Sequence, residues 1–171
     1  NPLTTEANLS GVEMDYINAL ATESRLQAER EGAGSIRWLA ELQAYGGDAR
    51  VEEAKGLQAK LFQSRRSEYG DQQRIYQEQL LGLQAQLREL QNVLSFRKEQ
   101  LGVLNEEASS NRELANQGFI PRSKANEVER TRSEMLSSLS NVTAEIAKVQ
   151  SSMAATRLQL TQHQASYRKD A

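Results

Sequence analysis

The chain has 171 residues, 38% of them hydrophobic, 5% aromatic and 26% charged, with a net charge of −2. Globular domains of this size carry more apolar residues, and a near-neutral charge gives no basic field for nucleic acid. With no cysteine, disulfides and thiol chemistry are excluded, and no apolar run approaches the ~20 residues of a membrane span.

In chain order, residues Thr4 to Arg30 read as a first helix, with Leu9, Tyr16, Ile17, Leu20 and Leu26 as its expected contacts. Glu31-Gly-Ala-Gly-Ser35 ends it, because glycines close helices well. Ile36 to Ala44 is expected to be a short helix carrying the single tryptophan, Trp38. Gly46-Gly47 then interrupts the chain, and Asp48 is a good N-cap for the next helix. An outgoing helix from Ala49 to Asn116 follows, and a return helix from Ser123 to the end. At ~1.5 Å per residue the return arm is roughly 70 Å long.

Two hydrophobic runs alternate steps of three and four residues, the spacing of a coiled-coil seam. Tyr69, Tyr76, Leu80, Leu83, Leu87, Leu90, Leu94, Leu101 and Leu104 precede Gly118. Val128, Met135, Leu139, Val142, Ile146, Val149, Met153, Leu160 and Tyr167 follow it. The runs mirror each other: Leu101 with Met135, Leu94 with Val142, Leu83 with Met153 and Tyr69 with Tyr167 each sum to 236 in residue number. An antiparallel helical hairpin lets every such layer meet. The fold expected is all-α: a long antiparallel two-helix coiled-coil hairpin with an additional N-terminal helix packed beside its base. Residues 1–48 form the first part and 49–171 the hairpin, with the tip at 115–123.

The register also places polar residues in the seam: Arg97 opposite Leu139, Arg132 opposite Leu104, His163 opposite Gln73 and Thr156 opposite Leu80. Such residues fix register at a cost in stability, and arginine stems lie along apolar surface with their heads in water. His163, the only histidine, lacks the neighbours for a metal or a catalytic pair, so no catalytic residue, metal or cofactor is expected. The outgoing helix holds Gly56, Gly70, Gly82 and Gly102, the return helix none. Gly82 and Gly102 lie off the seam, either to admit a neighbouring copy or as incidental tolerance.

At the tip, Gly118 supplies a positive φ that ends one helix, and Pro121 suits the first turn of the next. Phe119 and Ile120 lie between them, with little core for two large apolar groups, so at least one is expected to be exposed. Arg112, Arg122 and Lys124 against Glu113 make the tip locally basic. An apolar pair with a basic rim suits docking; the other reading is a staple in which Ile120 closes the hairpin end.

These residues carry a resemblance. The tip resembles that of HlyD-type membrane fusion proteins, whose tips commonly read Arg-x-x-x-Leu-x-x-x-Gly-x-Ile-Ser. Leu114, Gly118 and Ile120 match; Ser110 and Pro121 depart. Gly118-Phe-Ile-Pro-Arg122 with Glu127-Val-Glu-Arg130 is more similar to the type I secretion adaptors that export proteases and lipases. Arg25-Leu-Gln-Ala-Glu29 and Leu61-Phe62 with Arg65-Arg66 also resemble that branch.

The resemblance implies a periplasmic segment of an inner-membrane-anchored adaptor from a Gram-negative bacterium. Such adaptors join an inner-membrane ABC transporter to a TolC-like outer-membrane channel, as a ring typically taken as six copies. It further implies that Arg112, Leu114, Gly118, Phe119, Ile120, Pro121 and Arg122 meet the channel. A start at Asn1 rather than Met reads as a piece of a longer protein, expected to be largely monomeric alone. The alternative is a coiled-coil scaffold with no channel partner. A lipid-surface helix fits poorly, because the polar face is not rich in Lys and Arg.

Overall fold

A computed structural model describes residues 2–170, with side chains from Glu6 onward; Asn1 and Ala171, the outer bounds of the two expected parts, lie outside the described residues. Four helices form: α1 (Pro2–Glu31), α2 (Ala40–Ala44), α3 (Ala49–Asn116) and α4 (Arg122–Lys169). No strand occurs among the described residues. The all-α expectation holds, and α3 has the bounds read from the sequence. Asp48 caps it as expected: its Oδ1 accepts the Arg50 backbone N–H at 2.9 Å. The neighbouring Arg50 side chain also holds the Asp48 carboxyl below the usual carboxylate range.

The chain forms two compact units, one of residues up to Tyr76 together with those from Gln159, the other of Gln77–Leu158. In the first unit, Ile17, Leu20 and Ala21 of α1, Leu42 of α2, and Val51 and Ala54 of α3 form a core, with Trp38, Leu39 and Tyr45 packed against it. The α1 face differs from the expected one. Ile17 and Leu20 are buried and Leu26 is half-buried, but Leu9 and Tyr16 are 61% and 48% exposed. The covered row continues instead through Ala21, Ser24, Arg25, Ala28 and Glu29. These small and charged residues carry no apolar period, so the row was invisible to a hydrophobic pattern.

The short helix is also shorter than expected. Residues 33–39 are not helical, and α2 begins only at Ala40. The cause is tertiary. Gly32, with φ 68°, ends α1; its N–H bonds the Glu29 carbonyl, and the Ala33 N–H bonds the Ala28 carbonyl, a Schellman pair. Arg66 then donates to the Gly34 carbonyl at 2.6 Å, and the Leu39 N–H donates to Ser24 Oγ at 3.2 Å. Backbone groups that a helix would have used are spent on α1 and α3, and Trp38 and Leu39 are laid against the core.

Contacts between α1 and α3 rise in number along both helices: Glu13 with Arg50, Arg25 with Gln58 and Glu29 with Arg65. The two helices are therefore parallel. On α3 the covered positions step through Val51, Lys55, Gln58, Phe62, Arg65 and Tyr69. Between Arg50 and Arg65 this side of α3 meets α1, and from Tyr69 onward the same stripe meets α4. At the change of partner the spacing shows two successive steps of four, Arg65 to Tyr69 to Gln73, a stutter that locally unwinds a coiled coil.

Close to that change Tyr69 stacks on Tyr167 with ring centroids 4.2 Å apart, one of the layers that the mirror symmetry requires. His163 lies between Tyr69 and Tyr76, at 5.1 and 6.2 Å, which is the level of Gln73 as expected. Gln73 donates to the Tyr69 hydroxyl at 2.6 Å. Burial, and next the charge of Glu29, push the Tyr167 hydroxyl up.

In the second unit every expected seam residue is buried or half-buried on both arms, from Leu80 to Leu104 and from Val128 to Thr156, and Val93, Glu129 and Ser138 beside the seam are half-buried too. Polar bonds report the register. Arg97 donates to the Ser138 carbonyl at 3.1 Å, next to its expected partner Leu139. Arg132 donates to Asn105 Oδ1 at 2.7 Å, next to Leu104. The seam continues to the tip through Ala108, Asn111, Ala115 and Ala125, at the same three-four spacing. Small residues there bring little apolar area but let the two helices approach closely. A seam leucine left half-exposed contributes roughly 1 kcal/mol, so the arms hold by number of layers rather than by depth.

Candidate functional site

The tip follows from how α3 stops. Gly118 has φ 82°, its N–H bonds the Ala115 carbonyl at 3.1 Å, and the Phe119 N–H bonds the Leu114 carbonyl at 2.9 Å. This is a second Schellman end, and only glycine takes that φ without strain. A β-carbon at Gly118 would touch nothing within 4 Å, so φ rather than space is the constraint. The chain then turns, and α4 starts at Arg122. Pro121 stands just before the helix rather than within its first turn; its carbonyl accepts the Lys124 N–H at 3.1 Å. The missing proline N–H is not needed at that position either.

The side chains separate into two groups. Phe119 is 74% exposed and Leu114 39% exposed, while Ile120 is half-buried. A large aromatic group is thus presented to solvent by the turn at Gly118, while Ile120 is partly withdrawn from it. Arg122 and Lys124 are exposed, with no ion pair among the described residues. Arg112 is different. It pairs across the hairpin with Glu129, which Arg132 also bonds at 2.9 Å. Arg132, and then Arg112, hold the Glu129 carboxyl below the usual range. The basic rim expected from three cations is therefore carried by Arg122 and Lys124, and Arg112 braces the two arms. The signal for this lay in the register: the mirror sets Arg112 opposite Lys124, one and a half turns from Glu129, within reach of two long side chains.

A second constellation lies on α1 and α3, among residues that carry the resemblance. Arg25 and Glu29, one turn apart on α1, form a salt bridge at 2.7 Å with side chains 9% and 0% exposed. Arg25 Nε donates to Gln58 Oε1 at 2.7 Å. Arg65 Nε stands 3.1 Å from the other Glu29 oxygen, an ion pair too bent to be a hydrogen bond. The Arg65 guanidinium also lies 5.9 Å from the centre of the Tyr167 ring. One carboxylate with two arginines thus ties α1 to α3 where α4 ends. Arg25, Glu29 and Arg65 thus act in the fold, as does Phe62, which is buried on the same helix as Arg65. No cluster of three or more metal-ligating side chains occurs among the described residues, and no helix is long and apolar enough to cross a membrane.

Comparison with known proteins places these features. Residues 5–171 match the family described as "AprE, long alpha-helical hairpin". The alkaline protease secretion protein AprE of Pseudomonas aeruginosa is 28% identical over 169 residues, which is 99% of this chain and 39% of that protein's length. The chain thus spans about two fifths of that relative. The crystal structure of the soluble domain of LipC, a membrane fusion protein of a type I secretion system, superposes with a TM-score of 0.90 at 31% identity. It covers 96% of this chain and 78% of the LipC chain.

Proposed function

This chain belongs to the AprE family of long α-helical hairpins, and on that premise we propose that it is the hairpin of a periplasmic adaptor in a type I protein secretion system. In this reading it joins an inner-membrane ABC transporter to a TolC-like outer-membrane channel, in a ring of six copies, and performs no chemistry. The tip is the docking element. The observation that carries the proposal is the tip geometry: Phe119 is 74% exposed on a turn fixed by Gly118, with Arg122 and Lys124 beside it. Leu114 and Ile120 supply the apolar floor, Gly118 and Pro121 the turn, and Arg112 the brace to Glu129. A partner surface for this tip would offer an apolar recess with acidic groups at its edge. One tip buries little area and binds weakly; a ring of tips on one channel raises the effective concentration of each.

The test is export by the full-length protein. Phe119→Asp and Arg122→Glu are expected to reduce secretion at least tenfold, with adaptor level and helical circular dichroism unchanged. Ile120→Asp is expected to do the same while also lowering the melting temperature, because Ile120 is half-buried. Wild-type export by Phe119→Asp together with Arg122→Glu rejects the docking role and favours a coiled-coil scaffold that uses no channel.

A further inference from the structure

Helix α1 carries two rows at three-four spacing. One, from Ile17 to Ala28, faces α3. The other runs Leu9, Val12, Tyr16, Ala19, Glu23, Leu26, and among the described residues nothing covers its first half: Leu9, Val12 and Tyr16 are 61%, 66% and 48% exposed, while further along Ala19 and Glu23 are exposed and Leu26 is half-buried. Such spacing is what a partner helix requires. On α3, Leu57 and Leu61 form a shorter exposed strip, 63% and 42% exposed, with Lys60 between them.

The two strips stand in a defined relation. Tyr16 and Ala19 each precede a buried residue, Ile17 and Leu20, by one position; Leu57 and Leu61 likewise precede covered Gln58 and buried Phe62. Both strips are thus turned in the same rotational sense from the α1–α3 contact. In two parallel helices that places them on opposite sides of the pair, so one copy cannot close one strip on its own other strip. A second copy can. Within one copy α1 stands level with α3 residues 33 to 37 positions later, as Arg25 with Gln58 and Glu13 with Arg50 show. A neighbour related by rotation alone, with no shift along the helices, therefore brings Glu23 level with Lys60 and Leu26 level with Leu61. Glu23 and Lys60 are both exposed, and opposite charges meet where the apolar residues meet. Rotation without translation is also what closes a ring from a head-to-tail contact.

We propose that the outward row of α1, centred on Ala19, Glu23 and Leu26, docks on Leu57, Lys60 and Leu61 of a second copy of this chain, an interface that rests on the adaptor reading for the presence of neighbouring copies. The contact is heterologous, α1 to α3, and does not use the α4 arm.

The chain has no cysteine of its own, so Leu26→Cys and Leu61→Cys can be made as separate variants and mixed under mild oxidation at high protein concentration. The mixture is expected to form a disulfide dimer at least fivefold more than either variant alone, and a chain carrying both substitutions is expected to give a ladder. Adding Glu23→Lys to the first variant lowers the yield about two- to fivefold, the scale of an exposed ion pair. Adding Lys60→Glu to the second restores it. No cross-link, a dimer of Leu26→Cys alone, a disulfide confined within the doubly substituted chain, or a yield indifferent to the charge exchange overturns the proposal. Absent cross-links with lost export in the tip variants reject this interface and keep the adaptor; cross-links with wild-type export in those variants do the reverse.

Discussion

At the scale of single residues, the most consequential side chain is Glu29, which is fully enclosed and shared by Arg25 and Arg65. A buried carboxylate is tolerable only when paired, and removing one partner leaves the others uncompensated. Glu29→Gln is expected to destabilise the chain by about 3 kcal/mol, read as a lower midpoint in urea with unchanged slope; a change under about 0.5 kcal/mol means the network contributes nothing. Arg65→Lys should cost less, because Arg65 is a third exposed and already keeps part of its hydration. The letters Arg25-Leu-Gln-Ala-Glu29 were legible in the sequence as a resemblance, but their burial was not. Hydrophobic periodicity scores apolar side chains, and here the covered row of α1 is Ser24, Arg25, Ala28 and Glu29 beside only Ile17, Leu20 and Ala21. The expected contacts Leu9 and Tyr16 failed for the same reason in reverse: they are apolar, at seam spacing, and on the face away from α3.

At the scale of elements, the readable features were those set by local chemistry or strict repetition. The ends of α3 follow from Asp48 and Gly118, and its seam from the three-four steps that both arms repeat. The segment from Ala33 to Leu39 was not readable, because its non-helical form depends on Ser24 and Arg66. Near the tip, alanines replace leucines in the seam, so the pattern fades while the packing continues. Gly82 and Gly102 of α3 show the same limit. Both are exposed, and a β-carbon at either would meet nothing within 4 Å. Glycine inside a helix costs about 1 kcal/mol relative to alanine. Gly82→Ala and Gly102→Ala are each expected to raise stability by about 0.5–1 kcal/mol in thermal melts of the chain. A stabilised double variant that still supports normal export makes these glycines incidental; loss of export with raised stability assigns them to close approach by a neighbouring molecule.

At the scale of the whole chain, the organising element is α3, whose single stripe serves two partners in turn. Between Arg50 and Arg65 it meets α1, and from Tyr69 the stripe meets α4, with the step of the repeat broken once where the partner changes. Each compact unit therefore owns a closed set of layers. The unit Gln77–Leu158 contains both arms, the Schellman turn at Gly118, the Arg112–Glu129 brace and every layer between Leu80 and Ala115. Nothing in that set relies on α1. A peptide of residues 77–158 is expected to fold alone as a monomeric helical hairpin with a cooperative thermal transition, because the turn holds the arms in register and the loop between them is short. Residues 49–76 alone should show little helix, since Val51, Ala54 and Phe62 would face water and most helical stability comes from packing an apolar face. Circular dichroism and sedimentation of the two peptides decide the matter. A disordered 77–158 would mean that the Arg25–Glu29–Arg65 network and the stacked Tyr69–Tyr167 layer are needed to hold the hairpin shut. The α1 resemblance would then mark a requirement of the tip itself, and the Glu29→Gln variant would lose export together with stability.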